Sequence, residues 1–238
     1  MLLELKDVSK YFRGLAAVWR CNFTVNKGEI VSLIGPNGAG KTTVFNIISG
    51  LIRPDSGNII FNNVDITKLP PYKICMSGIA RTYQLTKTFN QMTLLENVML
   101  GALYGSGMKN SMHTASSISS SLIDFVGLGN RKLLLASKVS LVDRKKLEIA
   151  RALATKPSLL LLDEVMAGLN TAEIEEAMHL IKQIRDSGIT IIVVEHVMKA
   201  VMNISDRVIV LSAGEIIAEG KPEEIINNKK VIEAYLGD

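Results

Sequence analysis

Apolar positions along this chain fall into short runs of two kinds. From Leu2 to Ile66 the dominant kind alternates with polar residues: Leu3-Glu4-Leu5 and Cys21-Asn22-Phe23-Thr24-Val25 read as half-buried strands. Asn58-Ile59-Ile60-Phe61 ends at an Asn62-Asn63 turn. Three runs are of the other kind, nearly continuous in apolar residues: Glu29–Ile34, Ser158–Leu162 and Thr190–Val194. Such runs suit parallel strands covered on both faces. The first leads through a glycine-rich turn into a helix over Thr42 to Gly50, the second ends in Asp163-Glu164, and the third in Glu195-His196. Open α/β sheets bind ligands beyond the carboxyl ends of their strands, so three polar strand tips predict one shared site.

Between about Lys87 and Pro157 the pattern turns helical and polar, which predicts an inserted helical subdomain. Its serine-rich stretch, Ser111 to Ser121, reads as a solvated loop or helix junction. Further on, Arg207–Leu211 and Glu215–Glu219 flank Ser212-Ala213-Gly214, a hairpin signal. The division expected is a nucleotide-binding core with an antiparallel β subdomain over residues 1–86, a helical subdomain over 87–157, and the rest of the core with a C-terminal hairpin and helices over 158–238.

Composition narrows the class. With 238 residues, 47% hydrophobic, 21% charged and 5% aromatic, the chain fits an ordinary α/β protein and excludes a disordered or collagen-like one. Its net charge of +4 is spread without a basic block, so nucleic acid is not expected as a partner. Cys21 and Cys75 lie far apart in no metal-ligand spacing and read as packed thiols of a reducing compartment. Every apolar run is strand-length, whereas a membrane span takes about 20 residues. Charge interrupts Met-Leu-Leu-Glu-Leu-Lys-Asp at the start, so no export signal is predicted.

The chemistry begins at Gly35-Pro36-Asn37-Gly38-Ala39-Gly40-Lys41-Thr42, a P-loop between a predicted strand and a predicted helix. Its glycines let backbone N–H groups converge on nucleotide phosphates, and the helix N-terminus adds a positive dipole end. Lys41 would reach the β and γ oxygens, Thr42 would hold Mg²⁺, and Thr43 completes the candidate nucleotide contacts. At the tip of the second run, Asp163 suits Mg²⁺ through water and Glu164 suits drawing a proton from an attacking water. His196, beside these tips, could orient the γ-phosphate and that water; a buried structural histidine is the alternative. His179 falls on a polar helix face and His113 in the serine-rich stretch, and both read as solvated.

In order and spacing these pieces resemble the ATPase subunits of ABC transporters over essentially the whole chain. The resemblance implies an α/β P-loop NTPase (RecA-like) core with an N-terminal antiparallel β subdomain and an inserted helical subdomain, acting on ATP with Mg²⁺. It implies that Phe12, or alternatively Tyr11, stacks on adenine. By the same token Gln84 of Arg81-Thr82-Tyr83-Gln84 is the Q-loop glutamine, serving catalysis and, with Thr42 and Asp163, the metal. Asp163-Glu164 resembles the Walker B pair, Ala167-Gly168-Leu169-Asn170 the D-loop and His196 the switch histidine. Arg81–Gln84, Phe89–Asn97, Glu195-His196 and the tail from Glu223 to Gly237 are similar to the importer subunits for branched-chain amino acids. Lipopolysaccharide-export ATPases share a similar ending, but their intact signature is absent here.

That signature, usually Leu-Ser-Gly-Gly-Gln, is replaced by Val139-Ser140-Leu141-Val142-Asp143. Val142 should obstruct a close backbone approach, and Asp143 is expected to add a carboxylate near a partner's γ-phosphate. Ser140 and Asp143 together fit a capping box that preserves the helix start. Val165, where the family has proline, reads as a local backbone adjustment. Family members pair head to tail, each nucleotide lying between one P-loop and the partner's signature. A heterodimer with unequal sites is therefore expected, together with two integral membrane permeases, an extracytoplasmic solute-binding protein and a peripheral position on the cytoplasmic face of the inner membrane. Leu85, Phe89, Met92 and Leu94 are the candidates to line the groove for the permease. An ATP-binding subunit with little hydrolysis of its own is the alternative function.

Overall fold

The computed structural model describes residues 1–84, 86–105 and 110–236. Two sheets carry the fold. In the smaller, β1 (Leu3–Phe12), β2 (Leu15–Val25), β4 (Ser56–Phe61) and β5 (Val64–Asp65) run antiparallel in the order β2-β1-β4-β5. Its tight turns have the chemistry hairpins need: Asn62 and Asn63 both have positive φ, +49° and +63°.

The larger sheet has the order β10-β9-β3-β8-β7-β6, with β3 (Ile30–Ile34), β6 (Ile79–Arg81), β7 (Leu159–Asp163), β8 (Thr190–Val194), β9 (Arg207–Ser212) and β10 (Glu215–Gly220). All neighbours are parallel except β10 on β9, the predicted hairpin, which turns through Ala213 and Gly214 at φ +47° and +85°. Every residue of β3, β7 and β8 is buried.

The helices explain why these strands are apolar on both faces. They are α1 (Lys41–Ile48), α2 (Pro71–Met76), α3 (Leu94–Tyr104), α4 (Met112–Phe125), α5 (Leu141–Ala154), α6 (Thr171–Asp186), α7 (Met198–Ile204), α8 (Pro222–Ile226) and α9 (Lys229–Leu236). Alternate residues of β7 belong to different cores. Leu159 and Leu161 share a cluster with Phe45 of α1 and with the small sheet, while Leu160 and Leu162 join Leu147 of α5 and Ile181 of α6. Each such side chain contributes about 1.5–3 kcal/mol, so a polar substitution anywhere in these strands would be felt.

Helices α3, α4 and α5 lie between β6 and β7 in the chain and contact one another. The serine-rich stretch departs from expectation: it is not a loop. Only Ser111 stands at a helix junction, accepting from Thr114 N, and the rest lies inside α4. Ala115, Ser119 and Ile123 form its buried stripe at four-residue spacing. Ser119 is tolerated there because its hydroxyl donates to the Ala115 carbonyl at 2.7 Å. Both cysteines are unpaired with each other, and burial pushes the Cys21 thiol up to about 12. Among the described residues no helix is long and apolar enough to cross a membrane.

Candidate active site

The glycine-rich turn follows β3 directly, and its glycines are required by space as well as by conformation. A Cβ on Gly35 would stand 2.0 Å from the Leu211 carbonyl oxygen; on Gly40, at φ +104°, it would stand 2.4 Å from that of Ala17. The turn is thus pressed between β9 and the small sheet, and only bare backbone fits. Lys41 opens α1 with its side chain folded back, its amine donating to the carbonyls of Gly35 at 2.7 Å and Pro36 at 3.0 Å. Burial lowers the Lys41 pKa, with Glu164 and Asp163 opposing.

A cleft of about 280 Å³ joins residues 37–43 and Ala17 to Gln84, Glu164 and His196. Strand order accounts for the convergence, since β3, β8 and β7 are adjacent and parallel and their carboxyl ends share one edge. Glu164 takes φ +50°, a conformation side-chain-bearing residues rarely adopt, and its N–H donates to the Val194 carbonyl at 2.9 Å. Its carboxylate is held at both oxygens. Gln84 Nε2 donates to Oε2 at 2.8 Å, and His196 Nε2 lies 3.0 Å from Oε1. The imidazole is 42% exposed, so the buried structural histidine is not what forms.

A family profile for ABC transporters matches residues 18–167. The chain belongs to the ABC transporter ATP-binding family. A second profile, for the branched-chain amino acid ATP-binding cassette transporter, matches residues 215–238. The cassette is 39% identical over 250 residues to the high-affinity branched-chain amino acid transport ATP-binding protein LivG of Escherichia coli (strain K12), covering 100% of this chain and 98% of that protein. It superposes with a TM-score of 0.91 on the ADP conformation of MJ1267, an ATP-binding cassette of an ABC transporter, at 30% identity over 100% of this chain and 99% of that one. The dimeric post-hydrolysis cassette MJ0796 bound to ADP and Pi matches with a TM-score of 0.84 and 27% identity, over 93% of this chain and 99% of that one. Cassettes of this family are ATPases.

In the cassette, Asp163 stands apart from the cleft lining. It is 2% exposed, with Oδ2 accepting from Arg81 at 2.9 Å and Oδ1 without a partner among the described residues. Burial raises its pKa, and Arg81 pulls it back. Phe12 and Tyr11 end β1 on the surface, 45% and 43% exposed, and neither lines the cleft; Tyr11 pairs with Ala16, next to the lining residue Ala17. Gly35 and Pro36 meet the Lys41 amine through their carbonyls.

The altered signature corrects two expectations. Ser140 does cap α5, its hydroxyl accepting from Asp143 N at 3.2 Å, but the Asp143 carboxylate does not return to complete a capping box. It is buried and ion-paired with Arg131, so its charge is neutralised within the helical region and not presented to a partner's phosphate. Val142 remains half-buried where a glycine is usual.

A groove of about 530 Å³ lies between α2, β6, α3 and α5. Of the four side chains expected to line it, Phe89 does so, Met92 is half-buried away from it, and Leu94 is wholly buried in the core. Leu85 lies outside the described residues. Helical spacing after the Thr93 cap explains Leu94: it opens α3 on the same face as Val98 and Ala102, four and eight residues on, and all three join one core.

Three residues around the site carried no clear signal in the sequence. Lys145 of α5 donates to the carbonyls of Glu164 at 3.3 Å and Ala167 at 2.5 Å. Glu195, 1% exposed, accepts from Met166 N at 2.7 Å, and burial raises its pKa to about 7. Together they pin the turn that holds Glu164. Arg81 is the third. For Glu195 the hints were an acid closing an apolar run and the Glu195-His196 pair, neither of which gave it a role. Arg81 was visible only as the start of the segment that ends in Gln84, and nothing marked Lys145 within its charged helix.

Proposed function

We propose that this cassette hydrolyses ATP to drive uptake of branched-chain or other amino acids by an importer, seated on two permeases at the cytoplasmic face of the inner membrane and fed by an extracytoplasmic solute-binding protein. The observation that carries the reading is the Glu164 carboxylate, held between Gln84 and His196 at the mouth of the P-loop cleft. The amino-acid cargo is supported by the likeness to LivG and by the profile matched at the C-terminus.

Chemically, the resting Lys41 amine exchanges the Gly35 and Pro36 carbonyls for phosphate oxygens. That exchange replaces two neutral acceptors by charged ones and favours binding. Glu164 then accepts the proton of a water aligned with the γ-phosphate, and His196 Nε2 orients that carboxylate until the phosphoryl oxygens compete for its N–H. Phe12 or Tyr11, at the exposed end of β1, would cover the adenine.

The residues fit Mg²⁺. Asp163 Oδ1 is a buried acceptor without a partner among the described residues, Thr42 supplies a hydroxyl, and the Gln84 amide carries an oxygen beside its donated N–H. Among the described residues no cluster of three His, Cys, Asp or Glu side chains could hold a metal alone, so phosphate oxygens and water would complete the shell. When bound, the ion supplies positive charge against the β and γ oxygens.

Pairing is expected with a second, different cassette. Val142 blocks the close approach that the signature glycine allows, so the partner's nucleotide would be poorly contacted, while this chain's own P-loop side is complete. The groove between α2, α3, α5 and β6, with Phe89 on its wall, suits an integral-membrane helix end. Glu164→Gln in the assembled complex tests the reading: solute-dependent phosphate release should fall about 10²-fold or more with ATP binding intact. The matching change in the partner should cost less. Equal losses would overturn the asymmetry, and unchanged release the assignment of Glu164.

A further inference from the structure

One side chain is shared between the groove and the back of the nucleotide site. Arg81, the last residue of β6, lines the groove, yet its side chain is only 7% exposed. Nη2 donates to Asp163 Oδ2 at 2.9 Å. Nη1 donates to Asn46 Oδ1 at 2.8 Å, on the helix that the P-loop opens, and to Ser49 Oγ at 3.0 Å, at that helix's C-cap, and Nε donates to the Thr82 carbonyl at 3.2 Å. The ring of Tyr83, another groove residue, lies 4.7 Å from the guanidinium carbon. Guanidinium is planar and permanently charged, so these partners fix its position and orientation together.

We propose that Arg81 is a positioning residue that carries the state of the groove to the metal-holding carboxylate of Asp163. By occupying Oδ2 it fixes the plane of the carboxylate and leaves Oδ1 as the oxygen for the ion. A body seated in the groove presses on Tyr83 and the guanidinium. In a packed interior such a push moves the fork as a unit, and Asp163 with it. Metal affinity then depends on groove occupancy, and by linkage the groove's affinity for its occupant depends on the metal by the same factor. This route runs through the Asp163 pair, whereas the Gln84 side chain meets Glu164 on the cleft wall. The inference rests on the permease reading for the occupant, but its metal half does not.

The test is titration of Mn²⁺ into the ATP-loaded Glu164→Gln chain, followed by electron paramagnetic resonance, with the subunit free and assembled on its permeases. Half-saturating Mn²⁺ should differ at least threefold between the two states. Arg81→Met should bring that ratio to one and weaken Mn²⁺ binding of the free chain at least threefold, whereas Arg81→Lys should fall between. Tyr83→Leu, which leaves the Asp163 pair in place, should reduce the ratio with little change in the free chain. A wild-type ratio of one, or an Arg81→Met chain that keeps the wild-type ratio, overturns the proposal. Should Arg81→Met fail to fold, Tyr83→Leu decides. Failure of the permease complex to assemble would count against the importer reading; the free-chain shift then decides for Arg81, and no change or tighter binding overturns it.

Discussion

His196 Nε2 lies 3.0 Å from Glu164 Oε1, although 32 residues separate them, because β7 and β8 pair in parallel with Asp163 opposite Val194. The contact gives the imidazole a carboxylate partner on one side and leaves its body exposed toward the cleft. His196→Ala should therefore lower the turnover of the assembled complex by about 10²-fold or more while changing ATP affinity little. Phosphate release and fluorescent-nucleotide binding, measured on the same preparation, separate the two quantities.

Gly40→Ala should disable the loop itself. The added methyl would meet the Ala17 carbonyl at 2.4 Å and would sit at φ +104°. A loss of about 2 kcal/mol or more in urea unfolding is expected, with ATP binding abolished. Gly38→Ala is the control, since a Cβ there, at φ +79°, meets nothing within 4 Å and carries only the conformational strain.

Arg131→Ala would leave the Asp143 carboxylate buried without its counter-charge. Arg131 is 52% exposed and solvent screens the pair, so the expected loss is about 1–2 kcal/mol, below that of a fully buried pair. Chemical denaturation at low and high salt checks it. The double change Arg131→Ala with Asp143→Ser should recover most of the loss.

Glu195 predicts a pH dependence. Its carboxyl, raised by burial from 4.5 to about 7, keeps a proton in the folded chain that the unfolded chain has released. Folding then binds the proton between those values, so this group's contribution to stability is greatest below about 4.5, declines through the interval and is fully lost above about 7. Glu195→Gln keeps an oxygen for Met166 N and removes the ionisation. The variant should gain on the wild type by about 1–3 kcal/mol between pH 5 and pH 8 in urea unfolding.

Much of the frame was legible because burial on both faces writes itself into composition: β3, β7 and β8 are apolar at nearly every position and end where polarity begins. The P-loop was legible for a similar reason, as few residue types fit between Leu211 and Ala17. Reading failed where a residue's type and its surroundings disagree. Ser119 looks solvated but repays its hydroxyl to the preceding turn, and Leu94 looks available for docking but opens a capped helix inward. Asp143 illustrates the hardest case: its meaning depends on Arg131, twelve residues away, and no local pattern announces that pair.

The cleft is assembled from segments near residues 41, 84, 164 and 196, which no stretch of continuous chain holds together. A nucleotide spanning it would act as a reversible staple across the fold, absent from the denatured chain. Melting temperature should accordingly climb with the logarithm of ATP concentration, giving the cell a subunit whose durability follows its energy supply.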